Sequence, residues 1–148
     1  MTRSYPDYPI PGAGVVVLGP DGILLVKRRD PPRSDCWSLP GGVQETGETI
    51  YATAIREVKE ETGLDIRILG LIDVVDSITL EEQQRVQFHY TLLDFAACVT
   101  GGQMAANDDA LDVRWFSLKQ VSGMDLWSET HRIIHDAVNR FGKFVSEN

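Results

Sequence analysis

The sequence predicts an α/β domain with a mixed β-sheet and at least two helices. Short β-branched and aliphatic runs of strand length alternate with turn residues, and two segments carry apolar side chains at helical spacing. A chain of 148 residues has the usual size of one domain. We therefore expect residues 1–148 to form a single domain with one core and one site.

The N-terminal part of the sequence predicts a β-hairpin. All seven prolines lie between Pro6 and Pro40, so rigid turns are concentrated in this region. The aliphatic runs at residues 14–18 and 23–28 are separated by Gly-Pro-Asp-Gly, which is a turn composition. We expect the two runs to be neighbouring antiparallel strands.

The segment Ile50–Thr62 predicts a helix. Glu48 and Thr49 suit a helix N-terminus, and Gly63 suits the C-terminal stop. One apolar stripe at helical spacing consists of Ile50, Tyr51, Ala54, Ile55 and Val58. We expect this stripe to face the core.

Two further strands are predicted after the helix, at residues 66–75 and 86–99. The second is long and mostly apolar, which favours a central position in the sheet. The polar and acidic residues 77–84 between them predict a loop.

The C-terminal third predicts a loop, a short strand and a final helix. The loop begins at Gly101 and Gly102 and ends near Asp112, and the strand covers residues 113–116. Ser128 is suited to cap the last helix. The apolar face of that helix consists of Thr130, Ile133, Ile134, Ala137, Val138 and Phe141.

Composition and charge exclude several classes of protein. A net charge of −8 argues against nucleic acid as a partner, because binding its phosphates needs clustered Lys and Arg. No apolar run has the length of a membrane span, and residues 1–12 contain no signal-peptide core. We expect a cytoplasmic protein without a membrane partner. Cys36 and Cys98 have no metal-site spacing, so we expect both to be small buried apolar side chains.

The predicted helix carries three carboxylates on one face. Glu57, Glu60 and Glu61 have the spacing i, i+3, i+4, so they repel one another unless a cation lies between them. Carboxylate oxygens are preferred ligands of Mg²⁺ and Mn²⁺. Arg56, four residues before Glu60, can pair with that carboxylate and orient it. The alternative is a solvated acidic helix with a surface ion pair.

A wider pattern around this helix resembles the Nudix box. Gly42, Glu48, Arg56-Glu57, Glu60-Glu61 and Gly63 stand at that family's spacing, with aliphatic Val58 and Leu64 where it has aliphatic residues. The chain therefore resembles a Nudix hydrolase over residues 42–64, and more weakly over most of its length. This resemblance implies the Nudix fold, an α/β/α sandwich with a mixed β-sheet.

The resemblance also implies a divalent-metal centre. It gives Glu57, Glu60 and Glu61 as metal ligands, with the backbone carbonyl of Gly42 as a further one. Glu48 would support the metal site, and Arg56 would orient a glutamate. The implied cofactor is Mg²⁺ or Mn²⁺.

The implied reaction is the attack of water on one phosphorus of a diphosphate linkage. The general base would be a box glutamate or an acidic residue of a later loop; we favour Asp109 or Asp108. Residues 81 and 82, both Glu, form a second candidate loop. Arg28 resembles an arginine that contacts substrate in several members. The alternatives are that residues 107–109 have ordinary turn composition and that Arg28 is a solvated charge.

Two hypotheses for the substrate class remain open. One is a nucleoside diphosphate linked to another group, such as ADP-ribose or a nucleotide sugar; the other is a nucleoside triphosphate such as an oxidised dNTP. The ADP-ribose subgroup usually has a proline downstream of its box, and this chain has none after Pro40. A non-catalytic nucleotide-binding sensor domain is a third alternative, and a homodimer is compatible with the family.

Aromatic and histidine side chains give weaker signals. Trp37, Phe88 and Tyr90 are candidates to stack on a base, although aromatic residues in strands more often belong to the core. His131 and His135 are four residues apart but lack the glutamate of a zinc-binding HExxH motif.

Overall fold

The computed structural model describes residues 3–31 and 33–145. Residues 1, 2, 32 and 146–148 lie outside this part, so a single domain over residues 1–148 stays a prediction. Among the described residues no helix has both the length and the apolar character that crossing a bilayer requires.

The elements are β1 (Ile10–Gly19), β2 (Gly22–Arg28), β3 (Trp37–Ser38), β4 (Gly41–Val43), α1 (Ile50–Thr62), β5 (Leu64–Leu80), β6 (Val86–Gly102), β7 (Ala110–Phe116), α2 (Leu118–Ser122) and α3 (Ser128–Phe141), followed by a short 3₁₀ turn at Gly142–Phe144.

The strands form one mixed sheet. Its main path runs β3-β2-β1-β6-β5, while β4 pairs with β1 and β7 pairs with β2. Strand β1 is parallel to β6 and antiparallel to β2 and β4. Strand β6 therefore lies between β1 and β5, as its long apolar sequence predicted.

Helices cover both faces of this sheet. On one face, α1 packs Ala54 and Val58 into a core that includes Val15 of β1. On the other face, α3 packs Ile133 into a second core that includes Val16. Because successive strand residues point to opposite faces, β1 contributes to both cores. The α/β/α sandwich with a mixed sheet is confirmed.

Helix α1 has the predicted bounds, and both ends are capped. The Thr49 side chain accepts a hydrogen bond from the Ala52 N–H. Gly63 has a φ of 79° and donates its N–H to the Lys59 carbonyl. The expected apolar stripe is narrower than predicted, because Tyr51 is 53% and Ile55 is 42% exposed.

Two predicted loops are shorter than expected, because their first residues belong to strands. Strand β5 continues through Ser77 to Leu80, where Thr79 pairs with Phe88 of β6. Polar and aliphatic side chains alternate here, with Ser77 buried and Ile78 and Leu80 exposed, so the polar residues alone did not indicate a loop. At the other end, Gly102 is still within β6 and pairs with Leu64.

Two local predictions at single residues are wrong. Ser128 is the first residue of α3 and not its cap, since Trp127 is the N-cap residue and provides no side-chain hydrogen bond. Cys36 is exposed because it lies in the loop before β3, whereas Cys98, within β6, is buried as expected.

The turn between β1 and β2 requires a glycine at position 22. Gly22 has a φ of +120°, and an added Cβ would overlap the Phe116 carbonyl oxygen. Gly47 in the loop before α1 also has positive φ, +86°, but an added Cβ there would meet no atom within 4 Å. An alanine at position 22 would thus be disfavoured by both backbone strain and steric overlap, whereas an alanine at position 47 would be disfavoured by strain alone.

We expect Gly22→Ala to lower the free energy of unfolding by about 3 kcal/mol or more, because strain and overlap both act. Gly47→Ala should cost only about 1 kcal/mol, since strain acts alone. Urea denaturation of the two variants measures the difference. Equal losses would show that β7 moves aside at no cost.

Candidate active site

The loop from β4 to α1 is anchored to the sheet. Strand β4 pairs with β1 through Gly42 and Ala13 and through Gly41 and Gly14. The Gly41 N–H also donates to the Glu61 carboxylate over 2.8 Å. These contacts hold the acidic side of α1 against the end of β4.

Arg56 connects most of the glutamates around this loop. Its Nε donates to Glu48 over 2.7 Å, and its Nη1 donates to Glu57 over 2.6 Å and to Glu60 over 3.1 Å. Its Nη2 donates to the Val43 carbonyl over 3.0 Å. The expected pair with Glu60 is present, but Glu48 and Glu57 lie closer. Arg56 thus ties β4, the loop and α1 together.

Glu48 has an ordered place in this network. Hydrogen bonds from Arg56 and from the Thr53 hydroxyl lower the pKa of Glu48 to about 2. The carboxylate is therefore charged at neutral pH and keeps Arg56 in position. This contact is consistent with the supporting role expected for Glu48.

Glu61 faces away from Arg56 and pairs with Arg28. The Arg28 guanidinium donates from Nη1 to Glu61, from Nε to the Ser38 hydroxyl over 2.9 Å, and from Nη2 to the Leu39 carbonyl. Burial raises the pKa of Glu61 to about 7, although Arg28 and the Gly41 N–H favour its charged form. The three helix glutamates are thus divided between two arginines.

Arg28 has more contacts than a solvated charge at a strand end. Its side chain is only 21% exposed, and three of its nitrogens are bonded to protein oxygens. Arg28 nevertheless lines the neighbouring cleft. Its expected contact with substrate stays a prediction.

The charge of the cluster fits a divalent cation. Four carboxyl groups at positions 48, 57, 60 and 61 face two arginines at 28 and 56, so carboxyl groups outnumber cations by two. An added Cβ at Gly42 would overlap the Glu57 carboxylate, so glycine lets the backbone lie against it. No three acidic, His or Cys side chains of the described residues form a ready metal site. The oxygen donors fit a hard cation, although their present contacts are with arginines.

A cleft of about 210 Å³ begins at this cluster and continues over the sheet. Gly42, Glu57, Arg28 and Asp109 line the end near the box. The opposite end is lined by Ser77, Tyr90, Asp94, Trp127 and Thr130. The cleft thus joins the acidic cluster to a partly aromatic region.

The structure separates the candidates for a general base. Asp109 lines the cleft together with Glu57. Asp108 does not line it and has a φ of 58°, while Glu81 is bonded to Arg85 in the β5–β6 turn. Of these later acidic residues, only Asp109 lines the same cleft as Glu57.

The aromatic candidates have different surroundings. Tyr90 lines the cleft, whereas Phe88 is buried in the sheet. Trp37 packs edge-on against Phe116, with ring centroids 5.0 Å apart. Only Tyr90 of these three reaches the cleft.

Asp94, a buried acid that lines the cleft, was not among the residues predicted from the sequence. Its residue is 5% exposed, and burial raises the pKa of its carboxyl to about 7 against an opposing hydrogen bond from the Gly14 N–H. The signal was available, because Asp94 is the only charged residue between Thr91 and Val99. A carboxyl in the central strand of a sheet is unusual enough to suggest function.

Most of the chain matches a known protein family. The family model of the NUDIX domain matches residues 9–137. The chain belongs to the Nudix family. The family expected from the box is confirmed, and with it the class of hydrolases that cleave phosphorus anhydrides. Nudix hydrolases generally need divalent metal ions.

Two curated relatives of this Nudix chain have different names. The ADP-ribose pyrophosphatase of Methanocaldococcus jannaschii is 35% identical over 121 residues, which are 80% of this chain and 69% of the relative. A Bacillus subtilis protein provisionally named 8-oxo-dGTP diphosphatase is 36% identical over 108 residues, which are 72% of this chain and 65% of the relative. The chain therefore spans about two thirds of the length of these relatives.

A solved structure supports the same family. The MutT NUDIX hydrolase of Burkholderia pseudomallei has a TM-score of 0.75 and 26% sequence identity. The match covers 88% of this chain and 98% of the neighbour. The Nudix fold thus accounts for most of the described residues.

We expect Arg28→Met to lower the free energy of unfolding by about 3 kcal/mol, because Glu61 would stay buried without its cation. The matched control is Arg85→Met, which removes an arginine from an exposed pair with Glu81 and should leave stability nearly unchanged. Urea denaturation in EDTA compares the two without interference from metal. Similar small effects would mean that the Arg28 contact contributes no more than a surface ion pair.

Proposed function

We propose that this Nudix protein hydrolyses the diphosphate linkage of a nucleoside diphosphate derivative, with ADP-ribose as the expected substrate, in a reaction that requires Mg²⁺ or Mn²⁺. The proposal rests on the complete box, of which Glu57 lines a cleft together with Arg28 and Asp109, while Arg56 and Arg28 pair with the other box glutamates. The 35% identity to an ADP-ribose pyrophosphatase supports this substrate.

The box residues would have two roles: some would bind a cation, and others would orient the residues that bind it. Glu57, Glu60 and Glu61 would hold the cation together with the Gly42 carbonyl. When bound, the cation would offset the charge of the diphosphate and lower the pKa of an attacking water. Arg56, fixed by Glu48, would keep Glu57 and Glu60 oriented.

Arg28 and Asp109 would act from neighbouring positions where β2 pairs with β7. Arg28 would hold Glu61 in place and present the remainder of its guanidinium to a phosphate oxygen. Asp109 would accept the proton of the attacking water, because it is the later acidic residue on the cleft surface. Both assignments follow from the position of these side chains at the box end.

A second candidate reaction is the cleavage of an oxidised dNTP to its monophosphate and pyrophosphate. The 36% identity to the Bacillus subtilis protein supports it. Both reactions break a phosphoric anhydride and use the same box. They differ in the products released.

The test is a product analysis with Mg²⁺ across ADP-ribose, nucleotide sugars, dNTPs and 8-oxo-dGTP. We expect ADP-ribose to yield AMP and ribose 5-phosphate, and Glu57→Gln to lower kcat by about 100-fold or more because a metal ligand is lost. Glu82→Gln, in the exposed β5–β6 turn, is the matched control and should retain activity. Release of pyrophosphate from 8-oxo-dGTP would instead support the second candidate.

Two outcomes would contradict the proposed hydrolysis. Unchanged turnover in the presence of EDTA would show that the reaction does not require a divalent metal ion. Binding of ADP-ribose without turnover of any compound would favour a sensor domain. Calorimetry with ADP-ribose distinguishes a sensor from a protein that does not bind these nucleotides.

We expect Asp109→Asn to lower kcat by about 100-fold or more, since the amide cannot take up the proton. Asp108→Asn is the matched control, because asparagine tolerates the positive φ of 58° at this position and the side chain does not line the cleft. Steady-state kinetics with the preferred substrate measures both variants. Loss of activity in Asp108→Asn alone would transfer the assignment to that residue.

A further inference from the structure

The floor of the cleft contains a row of residues that crosses three strands. Gly14 of β1 pairs with Gly41 of β4 on one side and with Asp94 of β6 on the other. Neighbouring strands are about 4.8 Å apart, so Asp94 lies roughly 10 Å from the Gly41 backbone. This distance is comparable with the separation of a nucleobase from the diphosphate of the same nucleotide.

Two glycines of β1, Gly12 and Gly14, line the cleft beside Asp94. An added Cβ at Gly14 would overlap the Asp94 Oδ1, and one at Gly12 would lie 3.2 Å from the Leu92 side chain. Further along the same face, Val16 and Ala96 are covered by the core around α3. Gly14 therefore leaves room for the Asp94 carboxyl to lie against β1 where it lines the cleft.

Asp94 has an unusual electrostatic position. It takes part in none of the ion pairs formed within residues 3–31 and 33–145, although it is almost fully buried. Arg132, the cation that acts on it, is already paired with Asp73 and Glu129. A buried acid without its own cation costs stability, so a function that uses it is the simpler explanation.

The walls around Asp94 suit a flat ligand. The Arg33 guanidinium lies 3.8 Å from the centroid of the Trp127 ring and donates to the Ser77 hydroxyl over 3.2 Å. Ser77 and Thr130 are buried polar residues that also line this end. A flat guanidinium stacked on an aromatic ring, with polar groups fixed beside it, suits a site that sets the orientation of a planar ring.

We propose that Asp94 is a specificity-determining residue that binds the nucleobase and accepts a hydrogen bond from the 6-amino group of adenine. The inference rests on the proposed function, because the box end of the cleft must hold the diphosphate. The Asp94 carboxyl accepts a hydrogen bond from the Gly14 N–H and lies close to that residue. The same carboxyl also lines the cleft. A site built to bond an amino group rejects an analogue that lacks it.

Calorimetry compares AMP with purine riboside 5′-monophosphate, the same nucleotide with hydrogen in place of the amino group. The wild-type protein should bind AMP about ten-fold tighter or more. Asp94→Ala should bind the two nucleotides equally, whereas Asp94→Asn should retain part of the preference, because an amide oxygen still accepts a hydrogen bond. Asp76→Ala, on the neighbouring strand β5 and outside the cleft, is the matched control.

Hydrolysis of ADP-ribose provides a second readout. Asp94→Ala should raise KM with little change in kcat, because the residue contacts the base and not the reacting phosphorus. Equal binding of both nucleotides by the wild-type protein would overturn the proposal, even if the variant does not fold. An unchanged preference in Asp94→Ala would also overturn it. Tighter binding of AMP without hydrolysis of ADP-ribose would support the Asp94 assignment. It would contradict only the proposed hydrolase activity.

Discussion

The structure of the site depends on the repulsion among carboxylates that are close together. Two arginines reduce this repulsion from different directions, Arg56 through Glu48, Glu57 and Glu60 and Arg28 through Glu61. Each arginine also binds a backbone carbonyl of the segment before α1. Electrostatics and loop conformation are therefore coupled, because the groups that balance the acidic charge also fix the chain around it.

Much of the fold was predictable because it follows from periodic patterns. Helix α1 has the predicted bounds, since Thr49 and Gly63 provide both of its ends. The extent of β5 was not predicted, because Ser77 and Thr79 are polar, as in a loop, but are paired with β6. Strand pairing is a long-range property, so the composition of Ser77 to Leu80 alone did not reveal it.

The site could be predicted in part, and for a similar reason. Fixed spacing on one helix was enough to single out Glu57, Glu60 and Glu61. It could not show that Glu61 turns to Arg28, because that contact joins residues 33 positions apart. Asp94 was visible as an isolated charge in an apolar strand, but its contact with Gly14 joins residues 80 positions apart and needed the structure.

The contact between Gly14 and Asp94 has a consequence for how such proteins diverge. The box lies on β4 and α1, whereas the two residues in contact lie on β1 and β6. Any larger side chain at position 14 would have to be accompanied by a smaller one at position 94. Ligand preference can therefore drift through paired replacements in the sheet while the acidic helix stays constant, so inheritance of the reaction does not imply inheritance of the substrate.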